Sequence, residues 1–142
     1  MSPYKYRCLD ESIMLPFLNK NVFSVLHRHI PYGVPANYLT LVSIVVIWSC
    51  FLYFIGIDTP NDTEIIIAFF AIIIYVIFYH FDGLQAKITG TGSPLGEFLD
   101  HYSDVFNGSI IIYLFFRILQ IELDWIFYLA IWSNLVAFTV TY

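Results

Sequence analysis

Residues Ile65–Lys87 have the sequence IIIAFFAIIIYVIFYHFDGLQAK, in which a long apolar run is followed by polar residues. Its first 17 residues, from Ile65 to Phe81, contain no Asp, Glu, Lys or Arg. An α-helix rises about 1.5 Å per residue, so about 20 apolar residues cross a hydrocarbon core of ~30 Å. Asp82, Gly83 and Lys87 follow this run directly. The pattern predicts a membrane-spanning helix that ends in polar groups at a membrane surface.

The composition of the whole chain also indicates a membrane protein. Hydrophobic residues make up 59% of its 142 residues and charged residues only 12%, whereas soluble domains average about 45–50% and about 25%. A chain this short cannot bury so much apolar surface in one water-soluble core. The net charge is −5, so the charge balance gives no indication of a nucleic-acid partner.

Four transmembrane helices are predicted, at about 38–57, 65–86, 96–121 and 125–142. We therefore expect an all-α membrane protein with a single domain over residues 1–142. Arg117 lies inside the third span and is expected to reach toward the far interface. The last span is still apolar at Tyr142, and we expect the natural chain to continue beyond it.

Residues 13–30 are too short and too polar to span, and we predict an amphipathic helix on the membrane surface. The apolar positions at helical spacing are Leu15, Leu18, Val22, Val25 and Leu26, and the polar ones are Lys20, Ser24, His27 and Arg28. Pro16 suits the first turn of such a helix. This helix either only anchors the first span or also lines the mouth of a site.

The basic residues predict the orientation in the membrane. Five of the six precede the first span or follow the second, namely Lys5, Arg7, Lys20, Arg28 and Lys87. The connections 58–64 and 120–124 contain none. Because cytoplasmic loops are enriched in Lys and Arg, we expect the N-terminus and the 82–104 connection to be cytoplasmic, in a bacterial inner membrane or an ER-type membrane.

Three aspartates surround the connection between the second and third spans. Asp82 ends the second apolar run, and Asp100 and Asp104 stand one helical turn apart on one face. A carboxylate inside a membrane helix costs about 2.5–3.5 kcal/mol, and several on converging faces repel one another. A divalent cation would offset both costs. The pattern favours a metal site over the alternative of ordinary solvated charges at helix ends.

Small residues and a lysine accompany these carboxylates. Gly83 and Gly96 would let a bulky polar ligand approach the backbone closely, and Lys87 would meet a phosphate as a point charge. Together with a divalent cation, these residues indicate a diphosphate substrate that is handled at the cytoplasmic surface.

The constellation resembles the signature of the CDP-alcohol phosphotransferases, D-x2-D-G-x2-A-R-x8-G-x3-D-x3-D. Six positions match at that spacing: Asp82, Gly83, Ala86, Gly96, Asp100 and Asp104. The segment TGTGSPLGEFLDHYSD, residues 89–104, is similar to the choline and ethanolamine phosphotransferase branch. The segment PANYLT, residues 35–40, resembles the Pro-Asn-x-x-Thr motif of the family's first helix, with Ala36 as an additional residue.

The resemblance implies a homodimeric membrane enzyme of six helices that binds a CDP-alcohol through two Mg²⁺ or Mn²⁺ ions. The donor would be CDP-choline, CDP-ethanolamine or CDP-diacylglycerol, and a lipid or small alcohol would be the acceptor. The acceptor hydroxyl would attack the β-phosphate, and CMP would leave. By position, Asp82 and Asp100 would be metal ligands, and Asp104 would act as general base or share in metal binding. Nucleotide and phosphate would be bound by Gly83, Ala86, Lys87 and Gly96, with Asn37 and Thr40 from the first helix.

Two positions depart from the signature. Lys87 replaces its arginine, which keeps the charge and loses the planar fork for a phosphate. Tyr79 replaces its first metal-binding aspartate, and a neutral phenol is a poor ligand for Mg²⁺ or Mn²⁺. We therefore expect one metal position to be weakened. His80 and His101 lie about 100° away around their helices and are interpreted as interfacial residues.

Three functional hypotheses stay open at this point. The first is an active CDP-alcohol phosphotransferase of phospholipid biosynthesis. The second is a family member that binds nucleotide, lipid or metal without turnover. The third is an ion- or proton-conducting protein whose aspartates form a relay, although a relay would not need Gly83, Ala86 and Gly96 at these spacings.

Overall fold

A computed structural model describes residues 19–92 and 94–141 of the chain. Over these residues it contains helices and no strands, so the prediction of an all-α fold is confirmed. A π-helical turn, Asn19–Phe23, and one α-helical turn, Ser24–His27, come first. Four long helices follow, namely α1 (Ala36–Ile55), α2 (Asp62–Thr89), α3 (Pro94–Ile118) and α4 (Trp125–Thr141).

Two of these helices are long and apolar enough to cross a membrane. By length and composition, α1 and α2 qualify, with mean hydropathies of 2.2 and 2.3. Within α4, Trp125–Ala137 is a shorter apolar segment. The first two predicted spans are thus supported by the helices themselves, whereas a membrane crossing by α3 and α4 stays a prediction.

Helix α2 continues beyond the point where the sequence predicted its end. The prediction placed that end at residue 86, but the helix runs from Asp62 to Thr89 and stops at Gly90, whose φ of +66° gives a left-handed cap. Gln85 and Lys87 are polar yet favour helices, so the loss of hydrophobicity after Phe81 marks no helix end. At the other end, Asn61 forms a capping box with Glu64.

The bounds of α3 also differ from the prediction of 96–121. The helix begins at Pro94 and ends at Ile118, and proline suits a first helical turn because it has no N–H to leave unpaired. The chain then turns at Gln120, which has a φ of +53°. The helix ends three residues earlier than predicted, because the apolar run continues through Leu119 into this turn.

The core lies where α1, α2 and α3 meet. Its buried residues are Ile47, Cys50 and Phe54 from α1, Ala68, Ala71 and Tyr75 from α2, and Ile110 and Leu114 from α3. The two alanines let the helix backbones approach closely, as is common between membrane helices. Cys50 is a buried free cysteine in this core.

Polar side chains connect the helices inside this apolar framework. The Trp48 indole of α1 donates to Oδ1 of Asn107 on α3, at 3.2 Å. The Asn134 amide of α4 donates to the Val105 carbonyl at 3.1 Å and to Oγ of Ser109 at 3.2 Å. Such hydrogen bonds between helices stabilise membrane bundles.

Arg117 lies at the end of the bundle far from Asp82. Its Nη2 donates to the carbonyl oxygen of Asp58, in the connection between α1 and α2, at 2.7 Å. This contact agrees with the expectation that the arginine extends toward the interface opposite the aspartates.

The segment before α1 is only partly within the described residues. Residues 13–18 of the predicted amphipathic helix, with Leu15, Pro16 and Leu18, lie outside them. Val22, Val25 and Leu26 are exposed, as a membrane-facing surface would be, and the amphipathic helix stays a prediction. His27, expected on the polar side, is instead buried, with its ring edge-on to Phe81 at 5.7 Å.

Candidate functional site

The first half of the site joins α1 to α2 through Asp82. Its side chain is buried, with only 8% of its surface exposed. The Thr40 hydroxyl donates to Oδ2 of Asp82 at 2.7 Å. A hydrogen bond to a charged acceptor is stronger than one between neutral groups, so Thr40 stabilises a carboxylate that would be costly to bury alone. The two residues that the sequence predicted on separate helices are in direct contact.

The second half joins α2 to α3 through Asp104. The Tyr79 hydroxyl donates to Oδ2 of Asp104 at 3.0 Å. The phenol ring stacks on Tyr75, with ring centroids 5.8 Å apart, and packs against the apolar core. The residue that departs from the signature is therefore bonded to the candidate general base.

Asp100 connects these two halves electrostatically. It is half-buried on α3, and its charge interacts with both Asp82 and Asp104. The structure thus brings the three predicted aspartates into one neighbourhood. Repulsion among them favours a site that receives a cation or a hydrogen-bond donor.

The fit of these residues to a divalent cation can be judged from their donor atoms. Carboxylate oxygens suit Mg²⁺, which proteins usually hold with one or two carboxylates while substrate phosphates and water complete the shell. Two carboxylates and a diphosphate would therefore suffice. Among the described side chains, no group of three or more His, Cys, Asp or Glu is arranged to hold a metal ion. The chemistry of Asp82, Asp100 and Asp104 therefore suits a divalent cation, and metal binding by these residues stays a prediction.

The predicted phosphate-binding residues lie on the helices that carry the aspartates. Gly83, Ala86 and Gly96 are half-buried, and Lys87 is exposed on the last turns of α2. A Cβ atom at Gly83 would meet nothing within 4 Å. Internal packing therefore does not explain this glycine, and open space adjoins the helix beside Asp82.

The two predicted residues of α1 differ in position. Thr40 contacts Asp82 directly, whereas Asn37 is exposed one turn earlier in the helix. The residues at motif positions are thus brought together at Thr40, Asp82, Asp100 and Asp104. A role for Asn37 stays a prediction.

Sequence reasoning missed Gln85. Its side chain is 1% exposed, and its Nε2 donates to the carbonyl oxygens of Val34 at 2.6 Å and Pro31 at 3.3 Å. The Tyr32 hydroxyl donates in return to the Ile88 carbonyl at 3.1 Å. These hydrogen bonds join the loop before α1 to α2. The sequence offered one signal of this role, because Gln85 is an uncharged amide among the apolar and motif residues of α2.

Comparison with known proteins identifies the family. The family model for CDP-alcohol phosphatidyltransferase matches residues 34–142. The matched region begins in the loop before α1 and contains every residue of the site. It therefore agrees with the resemblance seen in the signature.

Individual relatives agree with this match. An uncharacterized CDP-alcohol phosphatidyltransferase class-I family protein of Schizosaccharomyces pombe is 30% identical over 84% of this chain and 33% of its own length. Choline/ethanolaminephosphotransferase 1 of Arabidopsis thaliana is 27% identical over 71% of this chain and 27% of its own length. The corresponding values for choline/ethanolaminephosphotransferase 1 of Saccharomyces cerevisiae are 26%, 81% and 31%. The chain spans about a third of these relatives' length, and it belongs to the CDP-alcohol phosphatidyltransferase family.

Proposed function

We propose that this chain carries the active site of a membrane transferase that moves a phospho-alcohol group from a CDP-alcohol to an acceptor hydroxyl and releases CMP. The family transfers phospho-alcohol groups in phospholipid synthesis, and its members are integral membrane proteins. The observation that carries the proposal is the meeting of α1, α2 and α3 around Asp82, Asp100 and Asp104. These are the positions of the family signature.

A divalent cation is the expected cofactor. The family is generally metal dependent, and Asp82 and Asp100 would hold Mg²⁺ or Mn²⁺, with Asp104 acting as general base or sharing in metal binding. A bound ion neutralises phosphate oxygens and orients the diphosphate for displacement. The signature implies two such ions, and Tyr79 in place of its first aspartate would weaken one position.

Asp104 would act as the general base in this reaction. The acceptor oxygen would form a bond to the β-phosphorus, and the bond from that phosphorus to the bridging oxygen would break, so CMP leaves with the electron pair. Asp104 would take the acceptor's proton. Since Oδ2 of Asp104 accepts the Tyr79 hydrogen bond, Oδ1 is the atom proposed to receive it.

Other residues would bind the nucleotide. Gly83, with open space beside it, would admit the CDP moiety together with Ala86 and Gly96. Exposed Lys87 would contact a phosphate, while Asn37 and Thr40 would face the nucleotide from α1. The named relatives favour CDP-choline or CDP-ethanolamine as donor over CDP-diacylglycerol. A lipid acceptor then fits better than a small alcohol.

The membrane arrangement is proposed from the basic residues. Their distribution supports a cytoplasmic N-terminus and active site, in an ER-type or bacterial inner membrane, with residues 13–30 lying along the surface. We also propose that residues 1–142 form one domain, that its four spans belong to a six-helix bundle, and that the protein is a homodimer.

The test is CMP release by the purified full-length protein in lipid. With Mn²⁺ or Mg²⁺, diacylglycerol and CDP-choline or CDP-ethanolamine, we expect CMP. The variant Asp104→Asn keeps an oxygen for the Tyr79 hydrogen bond and loses the base, so its rate should fall about 100-fold or more. An unchanged rate would remove Asp104 from the proposed role.

A second candidate function is binding of a CDP-alcohol without turnover. The observation that favours it is the Tyr79–Asp104 hydrogen bond, because it engages the proposed base. Under this alternative the protein binds CDP-choline and releases no CMP, and Tyr79→Asp restores release. Release of CMP by the unaltered protein would exclude it.

A further inference from the structure

Tyr79 holds its hydroxyl at Asp104 with little freedom to move away. The phenol ring stacks nearly parallel on Tyr75, at an interplanar angle of 23°, and contacts the edge of the His80 ring at a centroid distance of 5.7 Å. The ring also packs against the apolar core. These contacts pack the ring on several sides, and the 3.0 Å hydrogen bond to Oδ2 of Asp104 joins α2 to α3.

Asp104 needs a positive partner or a hydrogen-bond donor. It is half-buried between helices, and its negative charge is repelled by that of Asp100. The nearby basic side chain on α2, Lys87, is exposed, and Arg117 donates to the Asp58 carbonyl at the opposite end of α3. The Tyr79 hydroxyl supplies the donor, and a charged acceptor makes this a strong hydrogen bond.

We propose that the Tyr79 hydroxyl takes the place of one of the two divalent cations, so that this site binds a single ion. A cation at Oδ2 of Asp104 would have to displace the O–H group, and it would find a neutral phenol where a charged oxygen ligand is needed. The single ion binds on the Asp82 and Asp100 side, where Thr40 engages only Oδ2 of Asp82. This inference rests on the proposed metal site and concerns how many ions it holds.

Two carboxylates and a diphosphate are sufficient for that one ion, because Mg²⁺ is usually held by one or two carboxylates together with substrate phosphates. Tyr79 is thus a positioning residue, which holds Asp104 without a metal.

The test is the number of Mn²⁺ ions bound by the full-length protein in lipid nanodiscs with CDP-choline, measured by equilibrium dialysis and by electron paramagnetic resonance. We expect one Mn²⁺ per chain and the spectrum of an isolated ion. Tyr79→Asp should bind two, with a spectrum of coupled ions, since paired metal sites lie about 3.5–4 Å apart. Tyr79→Phe is the matched control, because it removes the hydroxyl without adding a carboxylate, and it should still bind one.

Two ions bound by the unaltered protein would overturn the inference, and this result does not depend on the folding of a variant. Zero ions would overturn it as well. One ion in a folded Tyr79→Asp variant, with its melting temperature retained, would also contradict it. CMP release is measured separately. One bound Mn²⁺ without CMP release would refute the transferase proposal and support this inference. Two bound Mn²⁺ with CMP release would support the transferase proposal and refute this inference.

Discussion

At the scale of single residues, two glycines on neighbouring helices have opposite surroundings. A Cβ atom at Gly83 would meet nothing within 4 Å, whereas one at Gly108 would lie 2.6 Å from Oδ1 of Asn134. The Asn134 amide cannot move freely, since it donates to Val105 and Ser109. Helix packing therefore explains Gly108. It does not explain Gly83, for which space for a ligand is the proposed role.

Alanine at each position should separate these two roles. Gly83→Ala should keep or raise stability, because alanine is favoured over glycine by about 1 kcal/mol in a helix, and it should weaken CDP-choline binding. Gly108→Ala should lower stability by about 1–3 kcal/mol, because overpacking displaces the Asn134 amide. SDS-induced unfolding in micelles and a CDP-choline titration measure the two effects. Equal binding by Gly83→Ala and the unaltered protein would count against a ligand beside this glycine.

Most site residues could be predicted from sequence because their spacing is local. Asp100 and Asp104 share a helix face by periodicity alone, and Tyr79 was recognised as a departure at a fixed position. The hydrogen bond from Tyr79 to Asp104 spans 25 positions. It depends on how α2 and α3 pack, which periodicity within one helix does not determine.

At the scale of elements, α2 supplies one continuous row of site residues. Tyr79, Asp82 and Gln85 are three positions apart, so each step turns about 60° around the helix and the row covers about 120° of its surface. They contact α3, α1 and the loop before α1, respectively.

Replacing the Gln85 amide by a carboxylate tests the fixation of this loop. Gln85→Glu removes the donor and sets a charge against the Val34 and Pro31 carbonyls, so we expect a loss of at least about 3 kcal/mol in unfolding free energy. Hydrogen exchange should accelerate at the Val34 amide, which donates to Pro31. Gln120→Glu is the matched control, because this side chain also donates its amide to a carbonyl, that of Pro60 at 3.4 Å, but is exposed at the other end of the bundle. Unchanged protection at Val34 would show that Gln85 does not fix the loop.

The elements themselves were largely predictable, and their ends were less so. Long apolar runs predict helices because few other structures satisfy the backbone in a membrane. The end of α2 depends on Gly90 and its left-handed conformation, not on where the apolar run stops. The contacts of Gln85 could not be predicted for a different reason, since its partners lie more than 50 positions earlier in the chain.

At the scale of the whole molecule, polar contacts lie between helices and large apolar side chains face outward. Leu52, Phe70 and Trp132 are among the exposed residues, as expected where lipid is the surrounding solvent. The contacts Thr40–Asp82 and Tyr79–Asp104 join three helices at one end. The sequence of a single span does not predict this convergence. The signature does, because its fixed spacing relates residues on α2 to residues on α3.

If this convergence is the active site of a transferase, Asp82→Asn in the full-length protein should lose CMP release. Asparagine still offers Thr40 an acceptor oxygen and removes the charge that a cation needs. We expect the rate to fall on the order of 100-fold or more, with normal activity in Glu122→Gln, an exposed control far from the site. A rate for Asp82→Asn equal to that of the unaltered protein would contradict it.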